Sequence, residues 1–374
     1  MNILFIESSL DPSRGGIARV TYTLANYFKR QGINCYFAFY CADFNDISVS
    51  RKLKFDENSP YADFKAQLIN FIKEKEIDVI INQDLNFPRY TQLYSYVREK
   101  FHVKVTTCLH NVPDFYKYWA LGWKFKVHEL LYKLRKGYDS QSEPYRKIYK
   151  SVDRFVVLSK FYIPIIKNKY GIKDLSKIAY IPNPIPFDMS RYDSLPIKKK
   201  QFLIIARLDD HQKNLKSALR IWKQFELRND EYKLIIAGYG KDEKMLLDYA
   251  KELHINRMSF IGKTTDAISL YKESQFLIMT SRYEGFPMTL IEAQQNGCIP
   301  IAFNSFAAIQ DIIVDNQNGI IVKKGKEQLF VNKMVEICLD EKRQKDMASK
   351  AINSVKSFSV STIGKQWIKL VNTI

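Results

Sequence analysis

Short apolar runs alternate with helical patterns twice along this chain, and a proline-rich stretch separates the two series. The first series has strand-like runs at 2–6, 35–40, 78–82, 103–109, 154–158 and 177–181, with helical periodicity at 17–30, 61–75, 88–100 and 160–170 between them. The second has strands at 202–206, 233–237, 259–261, 275–280, 299–302 and 319–322, with helical patterns at 214–228, 241–253, 265–273 and, briefly, 307–312. Strands that alternate with helices predict parallel sheets covered on both faces, an α/β fold. Between the series, Ile181-Pro182-Asn183-Pro184-Ile185-Pro186 cannot continue a helix and supplies few ladder donors. A polar run ending Lys198-Lys199-Lys200 follows it. The predicted architecture is two α/β domains with a cleft between two sets of strand ends, and 374 residues allow each domain its own core.

Composition narrows the function classes. A 46% hydrophobic and 26% charged chain is globular, while a formal charge of +18 points to nucleic acid, an anionic membrane or phosphorylated substrates. The five cysteines form no Cys-x-x-Cys pair and no zinc spacing, so a reduced, cytoplasmic protein with no structural metal is expected. The start, Met1-Asn2-Ile3-Leu4-Phe5-Ile6, lacks a basic leader and is broken by Glu7, so no secretory signal is expected. No apolar run approaches the length of a bilayer span.

The segment 281–292, Ser-Arg-Tyr-Glu-Gly-Phe-Pro-Met-Thr-Leu-Ile-Glu, reads as the end of a strand, a turn and the start of a helix. Gly285 permits a close backbone approach, and Pro287 suits the first helical position. Amides from Gly285 to Thr289 then face outward at the positive end of a helix, a site for an anion or a sugar hydroxyl. Glu284 and Glu292 would stand roughly 10 Å apart on one side, too far to share a proton but suited to two ends of one ligand. Ala206-Arg207 leaves a strand and Lys213 precedes a helix, so the two cations suit a diphosphate. Chance placement in a lysine-rich chain is the alternative. Gly238 and Gly240 end the neighbouring strand with a second close-approach turn. Gly15 and Gly16 lie in a strand–loop–helix where glycines close on phosphates or simply make a turn. His110 follows a strand end, where it meets substrate or serves as a structural histidine.

Residues 115–150 interleave Phe115, Tyr116, Tyr118, Trp119, Trp123, Phe125, Tyr132, Tyr138, Tyr145 and Tyr149 with basic side chains. An anionic membrane surface, inward packing of ordinary helices and RNA stacking all suit that composition.

Taken in order, Arg207 and Lys213, Gly238-x-Gly240, Phe260-x-Gly262, Ser281-x-x-Glu284-Gly-Phe-Pro and Glu292-Ala293 resemble the retaining glycosyltransferases of family four. These have the GT-B fold of two facing Rossmann-like domains. The Glu, seven residues, Glu signature is matched by Glu284 and Glu292. Gly15-Gly16, His110, Ile181-Pro182-Asn183, Asn318-Gly319, Phe358-Ser359 and Trp367 match less specific family features. The resemblance implies domains at 1–190 and 191–355, and a closing helix at 356–374 that crosses back to the first. It implies that Arg207 and Lys213 hold the donor diphosphate and stabilise the leaving nucleoside diphosphate without a metal or cofactor. Glu284, Gly285, Phe286, Met288 and Thr289 would hold the donor sugar and phosphate, and Glu292 the ribose. Gly15, Gly16, Gly238, Gly240 and Ile261 would line the donor, and His110 would meet its sugar.

The implied reaction moves a hexose or N-acetylhexosamine, UDP-linked, to a glycan hydroxyl in cell-surface polysaccharide synthesis; the basic aromatic stretch and the charge of +18 add the expectation of a polyprenyl-diphosphate-linked acceptor, met in the cytoplasm at the inner face of the membrane. Another GT-B enzyme, such as an epimerase or phosphorylase, and a basic nucleic-acid-binding protein are the alternatives. The Glu284–Glu292 pattern disfavours the first, and the second leaves Arg207, Lys213 and the glutamates idle. The sequence departs from the family at 305–311, where Phe306-Ala307-Ala308 replaces a Gly-Gly pair followed by Glu. It departs again at Asn111, which stands where an acidic or glycine residue is common.

Overall fold

The computed structural model describes residues 1–12, 15–41, 43–56, 60–84, 90–113, 123–138, 140–186 and 195–374. The chain divides into two compact units, Met1–Phe187 with Phe358–Ile374, and Asp188–Ser357.

The first unit holds a seven-stranded sheet of β1 (Asn2–Ile6), β2 (Asn34–Phe39), β3 (Lys52–Lys54), β4 (Val79–Asn82), β5 (Lys104–Leu109), β6 (Arg154–Val157) and β7 (Ile178–Tyr180). Its spatial order is β3-β2-β1-β4-β5-β6-β7, and the pairings are parallel. Ile3, Leu4, Phe5 and Ile6 are fully buried, as a strand covered by helices on both faces must be. The helix Gly16–Arg30 packs its Leu24, Ala25 and Phe28 inward, and Phe28 stacks on Phe5.

The second unit holds β8 (Lys199–Ile205), β9 (Lys233–Ala237), β10 (Met258–Gly262), β11 (Ser274–Met279), β12 (Ile299–Asn304) and β13 (Ile320–Lys323), ordered β10-β9-β8-β11-β12-β13 and again parallel. Phe202 and Phe276 sit opposite each other on β8 and β11 with rings 4.7 Å apart. Trp222, Phe225 and Tyr232 close around them as the centre of the core.

Several expectations shift. Strand β3 was not expected; Lys-Leu-Lys is too short and too charged to show periodicity, and it pairs only at the sheet's edge. Strand β8 begins at Lys199 rather than 202, because the preceding lysine is not a linker residue. The amine of Lys198 donates to the carbonyls of Tyr271 (2.9 Å) and Asn296 (2.6 Å), and its burial pushes its pKa down to about 8. In the stretch 181–185, Ile181 and Ile185 are buried, and their amides donate to the Val157 and Phe358 carbonyls. Helices Glu327–Cys338 and Glu341–Ser354 lie beyond the sequence expectations.

The helix Val360–Asn372 belongs to the first unit, with Trp367 buried. It crosses Gly16–Arg30 so closely that a Cβ on Gly364 would stand 2.2 Å from the Tyr27 ring. Among the described residues, no helix is long and apolar enough to cross a membrane.

Candidate active site

Both strand orders reverse direction once, between β1 and β4 and between β8 and β11. In such sheets ligands bind beyond the carboxyl ends of the strands at that reversal. Gly15 and Gly16 follow β1, and Arg207, Lys213 and Glu284 follow β8 and β11, at these two places; His110, Gly238, Gly240 and Ile261 belong to neighbouring strands β5, β9 and β10.

In the second unit, β8 ends at Ile205 and β11 at Met279, and the loops that leave them are tied together. Asn214 takes a left-handed conformation (φ 53°), which asparagine tolerates. Its side chain donates to the Thr280 carbonyl, and the Thr280 hydroxyl donates back to Lys213 and Asn214 carbonyls at 3.1 and 3.0 Å. The Arg282 amide donates to the Gln212 carbonyl at 2.7 Å. This clasp aims Lys213 at Glu284. The ammonium lies 2.6 Å from Glu284 Oε1, with side chains 19% and 8% exposed, and the Ser281 hydroxyl donates to the same oxygen at 2.6 Å. Sequence reasoning had Lys213 facing a phosphate and Glu284 facing a sugar; in the structure the two hold each other.

Arg207 stands just beyond β8. Its Nη2 donates to Gln212 Oε1 at 2.8 Å, and its side chain is 63% exposed. Gly238 and Gly240 leave β9 alongside it. A Cβ at Gly238 would be 1.9 Å from the Ala206 carbonyl oxygen, and one at Gly240 would be 2.4 Å from that of Leu208. The close approach these glycines permit is therefore to the Arg207 loop itself. Ile261 is exposed on the edge strand β10.

The helix after Glu284 runs Met288–Gln295, and Pro287 is its cap rather than its first residue, with φ −73° and ψ 103°. The proline holds an extended ψ, so the turn starts one position later than expected. Its carbonyl accepts from the Leu290 amide at 3.1 Å. Met288 and Thr289 then supply the first-turn N–H groups, which have no acceptor within the helix. Gly285 and Phe286 are buried. A small cavity at this point is lined by Ala206, Lys213, Thr280, Ser281 and Thr289 among others. Glu292 is buried in the second turn and accepts from the Tyr271 hydroxyl at 2.9 Å. The departing segment at 305–311 reaches the same turn, because the Ser305 hydroxyl donates to the Ser281 carbonyl.

In the first unit, Glu7 follows β1, Tyr40 follows β2, Gln83 and Asp84 follow β4, and His110 follows β5. His110 Nε2 lies 2.6 Å from Gln83 Oε1. An amide oxygen only accepts, so the imidazole proton is on Nε2. Burial pushes His110 down to about 4, leaving Nδ1 as an acceptor near neutral pH. Gln83 Nε2 is buried with no hydrogen-bond partner among the described residues. Glu7 accepts from the Thr21 hydroxyl at 3.1 Å, and desolvation raises its pKa to about 8 against that bond, with Asp84 adding to the rise. The Tyr40 hydroxyl donates to Asp84. Gly15 is extended (φ 174°), a conformation open to any residue, and no described heavy atom lies within 4 Å of where its Cβ would be. Gly16 begins the helix.

Sequence reasoning did not single out Glu7, Tyr40, Gln83, Asp84, Gln212 or Tyr271. The polar run Asn82-Gln83-Asp84 directly after an apolar strand was a usable signal, since it falls where the sheet order reverses. Among the described residues, no group of three His, Cys, Asp or Glu side chains is placed to hold a metal ion.

Of the basic aromatic stretch, 114–122 and the side chains of Trp123 and Phe125 lie outside the described residues. Tyr149 is buried, Tyr145 stacks on Tyr170 at 4.9 Å, and Tyr132 meets Tyr138 edge-on, so these aromatics pack within the protein.

The chain is similar to known glycosyltransferases. The chain is 29% identical over 230 residues to the amylovoran biosynthesis glycosyltransferase AmsD of Erwinia amylovora, covering 60% of this chain and 63% of that one. It is 30% identical over 207 residues to a Campylobacter jejuni α-1,4-N-acetyl-D-galactosaminyltransferase, covering 54% and 56%. The matches thus span about three-fifths of the length of these curated relatives. An uncharacterized glycosyltransferase of Haemophilus influenzae matches over 95% of this chain at 22% identity. Among solved structures, Anabaena HepE with UDP superposes with a TM-score of 0.77 at 16% identity, covering all of both chains. The galactosyltransferase WaaB superposes with a TM-score of 0.74 at 20% identity, covering 100% and 99%. These likenesses establish the GT-B fold. Residues 14–188 match the family described as Glycosyltransferase Family 4, and residues 190–354 match Glycosyl transferases group 1. With both halves matched in order, the chain belongs to the family-four glycosyltransferases.

Proposed function

We propose that this chain is a retaining glycosyltransferase that moves a hexose or N-acetylhexosamine from a UDP-sugar to a hydroxyl of a lipid-linked glycan in cell-surface polysaccharide synthesis. The observation that carries the reading is the Lys213–Glu284 pair, with Arg207 beside it, at the reversal point of the second sheet. A departing nucleoside diphosphate gains charge as the sugar takes on oxocarbenium character. Arg207 offers a two-pronged fork and Lys213 a point charge to that diphosphate. When the diphosphate draws Lys213 away, the Glu284 carboxylate is released toward the donor sugar's hydroxyls. The amides of Met288 and Thr289 at the helix start meet phosphate or sugar oxygens. Gly285 and Phe286 shape that turn. Gly238 and Gly240 set the position of the Arg207 loop, Ile261 lies by the base, and Glu292 accepts from the ribose. In the first unit, Gly15 and Gly16 take the phosphates, and His110 offers Nδ1 to a sugar hydroxyl.

In this reading the two cations do the work a metal does elsewhere, and no cofactor is needed besides the donor. UDP is favoured because HepE has been solved with UDP and with UDP-glucose. A lipid-linked acceptor is favoured because a relative's name specifies a diphospho-undecaprenol glycan. Five free cysteines suit a reducing, cytoplasmic location.

A thermal-shift panel of UDP-, GDP- and ADP-sugars tests the donor, and stabilisation by UDP-sugars alone is expected. Lys213→Ala and Glu284→Ala should each abolish transfer, and activity retained in both sinks the site. Transfer unchanged by EDTA, and a product whose anomeric configuration by NMR matches the donor's, are the remaining expected results.

A further inference from the structure

Gln83 is a buried polar residue to which the transfer reading gives no task. It directly follows β4, and its backbone amide donates to the Ile6 carbonyl at 2.8 Å, so the ladder between β1 and β4 extends one residue to carry it. The residue is 1% exposed, and its Nε2 has no hydrogen-bond partner among the described residues. A buried N–H left unpaired costs roughly 1–3 kcal/mol. Methionine would fill the same space without that penalty. What glutamine adds is Oε1, which accepts from His110 Nε2 at 2.6 Å. The neighbouring acids are engaged elsewhere. Asp84 accepts from the Tyr40 hydroxyl, and Glu7 accepts from the Thr21 hydroxyl while its burial keeps it protonated near neutral pH.

From this we infer that Gln83 is a positioning residue for transfer: its Oε1 holds the His110 ring in one orientation and one tautomer, so that Nδ1 stays open to accept from a sugar hydroxyl. A neutral imidazole in water passes its proton between the two nitrogens, and only a fixed partner on one of them makes the other a dependable acceptor. The partner's chemistry matters as much as its place. A carboxylate at position 83 would favour imidazolium and put a second proton on Nδ1, whereas an amide oxygen orients the ring without adding charge. A glutamine kept for packing alone is the competing account. The unpaired Nε2 speaks against it, because packing gains nothing from a buried donor. The role in transfer rests on the placing of His110 at the sugar proposed above; the hold on the ring does not.

The test compares wild type, Gln83→Met, His110→Ala and the double variant, each as the full chain with its five histidines isotope-labelled for nitrogen NMR. The ring signals absent from His110→Ala are those of His110. In wild type they should show the proton on Nε2 alone, and in Gln83→Met both should move toward the averaged values of a freely exchanging imidazole. The kcat of Gln83→Met should fall at least about tenfold. Its UDP thermal shift should be unchanged and its melting temperature no lower, because the unpaired N–H is removed with the acceptor. On the His110→Ala background the same substitution should change residual transfer by less than about twofold, since a residue that acts through the ring has nothing left to act on. Ring signals unmoved by Gln83→Met, transfer unchanged by it, or a loss that multiplies in full on the His110→Ala background would each overturn the inference. A wild type that transfers from none of the UDP-, GDP- and ADP-sugars fails the transfer reading instead, and the ring signals then decide whether Gln83 holds His110.

Discussion

Breaking the Lys213–Glu284 contact separates what the pair does for the fold from what it does for transfer. The two groups are 2.6 Å apart, with side chains 19% and 8% exposed. Lys213→Met leaves a carboxylate largely out of water; Glu284→Gln leaves an ammonium facing an amide. Removing one member of a fully buried pair costs about 3–5 kcal/mol, and the partial exposure here lowers that to about 2–4 kcal/mol. For a unit of this size the loss is a drop of roughly 5–15 °C in melting temperature. The double variant carries neither charge, so it should recover about 1–3 kcal/mol relative to the sum of the singles. Urea melts of the four proteins measure the cycle. UDP at about a hundred times its Kd adds roughly 2.7 kcal/mol to a chain that binds it, and every variant lacking Lys213 should lose most of that increment. Single costs that add to within about 0.5 kcal/mol would show that the pair is not coupled. The account of a latch opened by the diphosphate would then fail.

Glu7→Gln should stabilise the chain near neutral pH and not under acid conditions. The folded Glu7 pKa is raised from 4.5 to about 8, so the native state holds a proton that the unfolded chain releases. That contribution is fully present below 4.5 and is lost as pH rises toward 8. Glutamine cannot ionise, and its advantage should therefore grow from pH 4.5 to about 3–4 kcal/mol by pH 7.5 in urea melts; parallel pH curves would contradict the burial argument. Gly364→Ala places a methyl 2.2 Å from the Tyr27 ring. Overpacking outweighs the roughly 1 kcal/mol of helix propensity gained, for a net loss of about 1–2 kcal/mol by thermal melt, recovered in part when Tyr27→Ala is added.

The strand–helix alternation was legible because buried parallel strands such as Ile3–Ile6 and Leu234–Ala237 are unbroken apolar runs that periodicity detects. Glycine and proline positions were legible as turns but not in detail. Pro287 caps its helix instead of opening it, and Gly238 and Gly240 admit the Arg207 loop rather than leaving open space. Charge misled where the environment was tertiary. Lys198 looked like linker, yet its amine is held by two carbonyls from elsewhere in the fold. The Lys213–Glu284 contact joins residues 71 positions apart, a pairing no local pattern encodes.

Tyr27 and Gly364 belong to one packed helix pair, but they are made far apart in translation. At about 5–20 residues per second, the ribosome needs roughly 20–70 s to pass from one to the other. Throughout that time the Gly16–Arg30 helix presents the surface on which Val360–Asn372 will seat, while the whole second unit emerges and can fold on its own contacts. The first unit is begun first and finished last. A nascent chain stalled before Val360 should therefore show a protease-resistant second unit beside a first unit still open at Tyr27, and chaperones that hold apolar surface have their longest opportunity there.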